Sequence, residues 1–88
     1  MIERETAVVN SLGLHARPAA QFVRLAATFA SDIWLACDGN SVNGKSIMGV
    51  MMLAAECGAT VQIRADGPDE DAAVDALAAL FARGFGES

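Results

Sequence analysis

The sequence is poor in cysteine, in aromatic side chains and in positive charge, and each shortage closes off a class of protein. Two cysteines, Cys37 and Cys57, are too few for a disulfide framework. Neither lies near the one histidine or in a CxxC pair, so no metal site is expected, and both read as small, buried, reduced residues. Six Lys and Arg against eleven Asp and Glu leave a net charge of −5, the opposite of the basic footprint nucleic acid requires. Five aromatics in 88 residues also give little to stack on bases. No apolar run approaches the roughly 20 residues of a membrane-spanning helix, so no membrane insertion is expected. The opening MIERETAVVN carries charges where a signal peptide has its apolar run, which makes the cytoplasm the expected compartment. A nucleotide-cradling glycine loop, internal repeats and low-complexity segments are absent as well.

What remains is a short chain rich in small apolar residues. At 88 residues it has room for one domain, spanning 1–88, with a modest core. Residues 2–9 begin in alternation and predict a strand that carries Val8 and Val9 into the interior. Apolar residues at Ala19, Phe22, Val23, Ala26 and Ala30 recur at helical spacing, and Pro18 fits only in a first turn, so a helix starts near Ala16. Residues 32–37 predict a strand, Asp38-Gly39-Asn40 a turn, and 40–43 can pair back as a hairpin. Ser46 precedes a short apolar helix that Gly58 would close. Residues 60–65 alternate again, and Asp69 is placed to cap a last helix that buries Ala73, Leu77, Leu80 and Phe81 and ends at Gly84. The order is β-α-β-β-α-β-α, an α+β chain. So small a sheet cannot be covered on both faces, which predicts four mainly antiparallel strands with the helices on one face, in the split-βαβ manner.

The chemistry-bearing stretch is Gly13-Leu14-His15-Ala16-Arg17-Pro18-Ala19. It sets an imidazole just before a helix start, where unsatisfied N–H groups and the helix dipole favour an anion. Arg17 adds a forked cation suited to phosphate oxygens, and Gly13 lets the backbone turn tightly into the site. Nucleophile, anion cradle and counter-charge are the parts a phosphohistidine needs. With no second histidine, no metal cluster and no cofactor expected, the chain would accept and donate phosphoryl groups but would not turn over a nucleotide or phosphoenolpyruvate by itself. On spacing alone an incidental role also stands, in which His15 only caps a loop and Arg17 is solvated.

GLHARPAAQF resembles the active-site segment of the histidine-containing phosphocarrier (HPr) family of the bacterial phosphotransferase system. A second segment, Asn43-Gly44-Lys45-Ser46-Ile47-Met48, resembles the same family at its expected place, and the likeness runs through length and element order. The resemblance implies an open-faced β-sandwich of four antiparallel strands with three helices on one side. It implies that His15 is phosphorylated on Nδ1 by Enzyme I and hands the group to an Enzyme IIA-type acceptor, with Arg17 and the backbone N–H of Ala16 holding the phosphate. It makes Ser46, which reads locally as a helix N-cap, a candidate regulatory phosphoserine where an HPr kinase/phosphorylase exists. It puts Ala20, Ile47, Met48 and Met51 on the partner face, with Arg24 and Lys45 as its remaining cations. Of Met51 and Met52, one is expected to be core. Ala27 and Gly49 depart from the family by standing where basic residues are common. A monomer is expected. Two other functions are weighed: a carrier of the nitrogen-related branch, and a ferredoxin-like binding module in which His15 is incidental.

Overall fold

A computed structural model describes residues 1–87. The strands are β1 (Ile2–Ala7), β2 (Asp32–Cys37), β3 (Asn40–Asn43) and β4 (Thr60–Asp66), and the helices α1 (Ala16–Ala26), α2 (Ile47–Met52) and α3 (Glu70–Ala82), followed by a short 3-10 turn at Gly84–Gly86. The sheet order is β1-β4-β2-β3 and every neighbouring pair is antiparallel. It follows that β1 and β2, joined by α1, run parallel with β4 between them. Likewise β3 and β4, joined by α2, run parallel with β2 between them. Two split βαβ units are thus interleaved, as the element order predicts.

Alternation decides which face the helices cover. Register sets Ile33 opposite Ala65 and Leu35 opposite Ile63, and all four are buried. The intervening Trp34, Ala36, Gln62 and Arg64 face the other way, where Arg64 forks onto Glu3 of β1 at 2.9 and 2.7 Å. Arg4 shares the core side of β1 with Ile2, and its guanidinium reaches Asp75 of α3 at 2.6 Å, tying that helix to the edge strand. The β2–β3 hairpin turns through Asp38 and Gly39, both at positive φ, the conformation of a tight primed turn.

Beneath the helices Phe22 of α1, Phe81 of α3 and Phe85 meet edge to face, with centroids 5.8 and 4.9 Å apart. α1 contributes Pro18, Ala19, Phe22, Val23 and Ala26 from one face. α2 contributes only Val50. The four core residues expected of α3 are buried together with Val74.

Several expectations about element ends and burial are corrected. β1 stops at Ala7, and Val9 is exposed while Val8 is buried, because the Val8 N–H and C=O turn to Ala59 and Gly58 and lead the chain out of the sheet. α1 ends at Ala26 and leaves Ala30 exposed. The Ala27 N–H still donates four residues back to Val23, but those of Thr28 and Phe29 bond three residues back to Leu25 and Ala26, which tightens the helix to a stop. Met52, not Gly58, is followed by the end of α2. Leu53 and Ala54 also bond three residues back, and Ala54 takes the left-handed conformation usually given to glycine. Asp69 does stand at the N-cap of α3, but its carboxylate makes no cap hydrogen bond. It accepts instead from the N–H groups of Ala30 and Ser31 and from the Ser31 hydroxyl. Cys37 is buried as expected, whereas Cys57 is exposed, and both are free thiols.

Candidate functional site

The loop into α1 is built to present one ring. Gly13 has φ +68, and a Cβ there would run into the Ala55 carbonyl oxygen, so only glycine fits this turn. Leu14 is buried and its N–H donates to the same carbonyl at 2.9 Å, which seats the loop against the segment after α2. Asn10, buried, closes the loop from behind by donating its amide to the Gly13 carbonyl at 2.7 Å. His15 follows as the N-cap residue of α1 in extended conformation, and its side chain makes no cap hydrogen bond. The ring therefore projects from the helix start, with 37% of the side chain exposed, and does not serve as a cap.

Pro18 has no N–H and the Ala19 N–H donates to the His15 carbonyl at 3.0 Å. Helix geometry leaves the N–H groups of Ala16 and Arg17 as the unsatisfied donors of this first turn. Arg17 is exposed and has no hydrogen-bond or ion-pair partner among the described residues. Helix N–H groups, a free guanidinium and an exposed imidazole thus converge within three consecutive residues.

Sequence reasoning missed a fourth participant. Glu87, 72 residues from His15 in the chain, places both carboxylate oxygens 3.1 Å from His15 Nε2. Its Oε1 also accepts from the Asn10 amide at 3.1 Å. Burial opposes ionisation of this carboxyl. The hydrogen bonds from His15 and Asn10 and the nearby charges of His15 and Arg17 outweigh burial and hold it below the ordinary glutamate value of 4.5. The segment carrying Glu87 is pinned by Phe85, buried at φ +58. A left-handed backbone costs roughly 1–2 kcal/mol, which burial of the ring, worth about 1.5–3 kcal/mol, offsets. The one sequence signal was an apolar Phe85 between two glycines, and it says nothing of what Glu87 meets.

Beside the ring lies a recess of about 290 Å³ between Leu12, Leu14, Ala16, Met51 and Glu56. Its rim continues into an apolar surface: Leu12, Ile47, Met48, Met51 and Met52 are all exposed. That both Met51 and Met52 are exposed corrects the expectation that one is core, since Val50 alone anchors α2. Leu12 was not anticipated. On α1, Ala20 is half-buried and Arg24 is exposed one turn on, its Nε 3.4 Å from the Ala20 carbonyl. Lys45 is drawn the other way, its ammonium donating to the Phe29 carbonyl at 2.9 Å. Ser46 is the N-cap of α2, its Oγ accepting from the Gly49 N–H at 3.1 Å.

A family model described as the phosphorylation site of the phosphotransferase-system HPr component matches residues 2–83. The chain belongs to the HPr family. It is a phosphocarrier of the phosphotransferase system. The phosphocarrier protein HPr of Cupriavidus necator is 53% identical over 87 residues, covering 99% of this chain and 98% of that one. A crystal structure of HPr from Thermoanaerobacter tengcongensis superposes with a TM-score of 0.95 at 46% identity, covering 100% of this chain and 99% of the other. The open-faced arrangement of four antiparallel strands and three helices is that of the family. These relatives do not support the nitrogen-branch alternative or the binding module with an incidental His15. A second structure from T. tengcongensis, an HPr dimer, covers 99% of this chain and all of that one at 47% identity and TM-score 0.79. Membership in the family therefore does not by itself imply a monomer.

Proposed function

We propose that His15 is the residue that carries the phosphoryl group, accepting it on Nδ1 from Enzyme I charged by phosphoenolpyruvate and passing it to an Enzyme IIA-type acceptor. The observation that carries this reading is the exposed ring at the start of α1, beside the Ala16 and Arg17 N–H groups and the unpaired Arg17 guanidinium. The helix N–H groups and the dipole favour the dianionic phosphoryl oxygens, and Arg17 closes over them with a charge-assisted fork. The site has no group to generate a phosphoryl donor, so partners complete the in-line transfer.

The partner face comprises Ala20 and Arg24 of α1 with Ile47, Met48 and Met51 of α2, and Leu12 and Met52 extend it. Flexible, polarisable methionines suit a surface that must fit both a donor and an acceptor. Lys45 acts on this face through the loop it fastens, since its ammonium is engaged by Phe29. Ser46 is the regulatory position: a phosphate there adds about −1.5 to −2 charges at the edge of the face, for an HPr kinase/phosphorylase to apply. The chain works as one domain over 1–88, as a monomer in the cytoplasm, without a cofactor. No helix among the described residues is long and apolar enough to cross a membrane.

His15→Ala is expected to abolish labelling from phosphoenolpyruvate through Enzyme I while the circular dichroism spectrum stays native. Acid-labile label on the folded variant would sink the assignment.

A further inference from the structure

We propose that Glu87 is a positioning residue for the transfer: it holds the proton on His15 Nε2 throughout the loading and unloading of Nδ1. This rests on the reading of His15 as the phosphoryl carrier and adds a residue to it.

An ionised carboxylate only accepts hydrogen bonds, so at 3.1 Å from both oxygens Nε2 is the donor. In the neutral ring that leaves the lone pair on Nδ1. The contact is built into the fold. The Glu87 side chain is only 18% exposed, Asn10 holds Oε1, and buried Phe85 fixes the backbone two residues earlier. Among the described residues the charged groups around the ring are Glu87 and Arg17, with Glu56 lining the recess beside it, whose other lining side chains apart from His15 are apolar.

In loading, the Nδ1 lone pair attacks phosphorus, the bond from phosphorus to the donor breaks, and the donor keeps that electron pair. The ring becomes a phosphoimidazolium whose Nε2 still carries its proton, and the Glu87 carboxylate balances the positive charge. In unloading, the acceptor's lone pair attacks phosphorus and the P–N pair returns to Nδ1, so neutral imidazole leaves. Were Nε2 to lose its proton in the loaded state, the leaving group would be imidazolide, a far more basic and poorer one. Glu87 keeps the loaded ring in the form that can leave, and no proton enters or departs in either direction. This is the orienting role of a carboxylate behind a histidine, applied to a nucleophile that must also depart.

The test compares the full chain with Glu87→Ala, Glu87→Gln and Glu87→Asp. Each is loaded from phosphoenolpyruvate through Enzyme I, and phosphoryl return to Enzyme I is followed by rapid quench across pH, with thermal melts as the folding control. Return from Glu87→Ala is expected to fall roughly tenfold at about pH 8 and much less at about pH 6, moving the alkaline limb down by about one pH unit. Glu87→Gln, which accepts but carries no charge, follows Glu87→Ala, and Glu87→Asp recovers part of the loss. Unchanged rates in all the variants overturn the proposal, as does a loss by the same factor at every pH, which is what a merely structural role gives. Absence of label on His15 in the unmutated chain overturns the carrier reading itself, and this proposal with it.

Discussion

Arg17 carries a full charge beside His15 with no hydrogen-bond or ion-pair partner among the described residues, so its five N–H donors are uncommitted. Within the described residues its field helps hold the Glu87 carboxyl below its ordinary value. Arg17→Ala is expected to fold as before and to slow transfer about tenfold in both directions without stopping it. A charge-assisted hydrogen bond sits near that value once exposure to solvent is discounted, and the Ala16 and Arg17 N–H groups still hold the anion. Rapid-quench rates equal to those of the parent would remove Arg17 from the phosphate site. The placement of His15 and Arg17 at a helix start was legible because that arrangement is local: imidazole, N–H groups and cation lie within three residues. Glu87 was not, because its proximity to His15 depends on where α3 ends and on how Phe85 is buried. Lys45 shows the same limit from the other side. Its charge was visible, but the carbonyl that engages it lies 16 residues away in the chain.

Among the elements, strands were read more faithfully than helix ends. In β2 and β4 alternation is imposed by a core on one side, and the buried residues Ile33, Leu35, Ile63 and Ala65 carry that signal directly. α1 and α2 stop where the hydrogen-bond ladder tightens to three-residue spacing, and no residue type marked either place. The left-handed turn after α2 falls on Ala54, which carries no such signal in the sequence. Asp69 was read as a cap because it stands at a helix start, yet its carboxylate clamps the α1–β2 connection to the start of α3. The Ser31 hydroxyl, with the N–H groups of Ala30 and Ser31, outweighs desolvation and holds this carboxyl below its ordinary 3.8. A depressed value means the clamp contributes stability above the unfolded pKa and loses it as pH falls through the folded one. Asp69→Asn is therefore expected to lower Tm by a few degrees at neutral pH, with the gap to the parent closing below the ordinary carboxylate value of 3.8. Paired calorimetric scans across pH check this, and a gap of constant size would show that charge has no part in the clamp.

Across the whole molecule, the interleaved strand order sets β1 at an edge, paired to β4 alone, with Ile2 opposite Ala65. The β2–β3 hairpin, by contrast, closes through Asp38 and Gly39 between near neighbours in the chain. Closing a long loop costs chain entropy before any contact repays it, whereas a two-residue turn costs little. Loop-closure entropy therefore predicts an order of assembly, with the hairpin early and β1 last. Gly39→Ala, at φ +82 with nothing nearby to clash, strains the turn alone and is expected to slow refolding while leaving unfolding nearly unchanged. Val8→Ala removes buried side-chain volume just beyond β1 and is expected to speed unfolding while leaving refolding nearly unchanged. Stopped-flow measurements over a range of denaturant separate the two limbs, and an exchange of the two effects would place β1 in the nucleus. On that order the loop that leads from β1 to His15 is expected to be among the last parts of the chain to become ordered, so the proposed phosphoryl site is expected to become competent only with the completed fold.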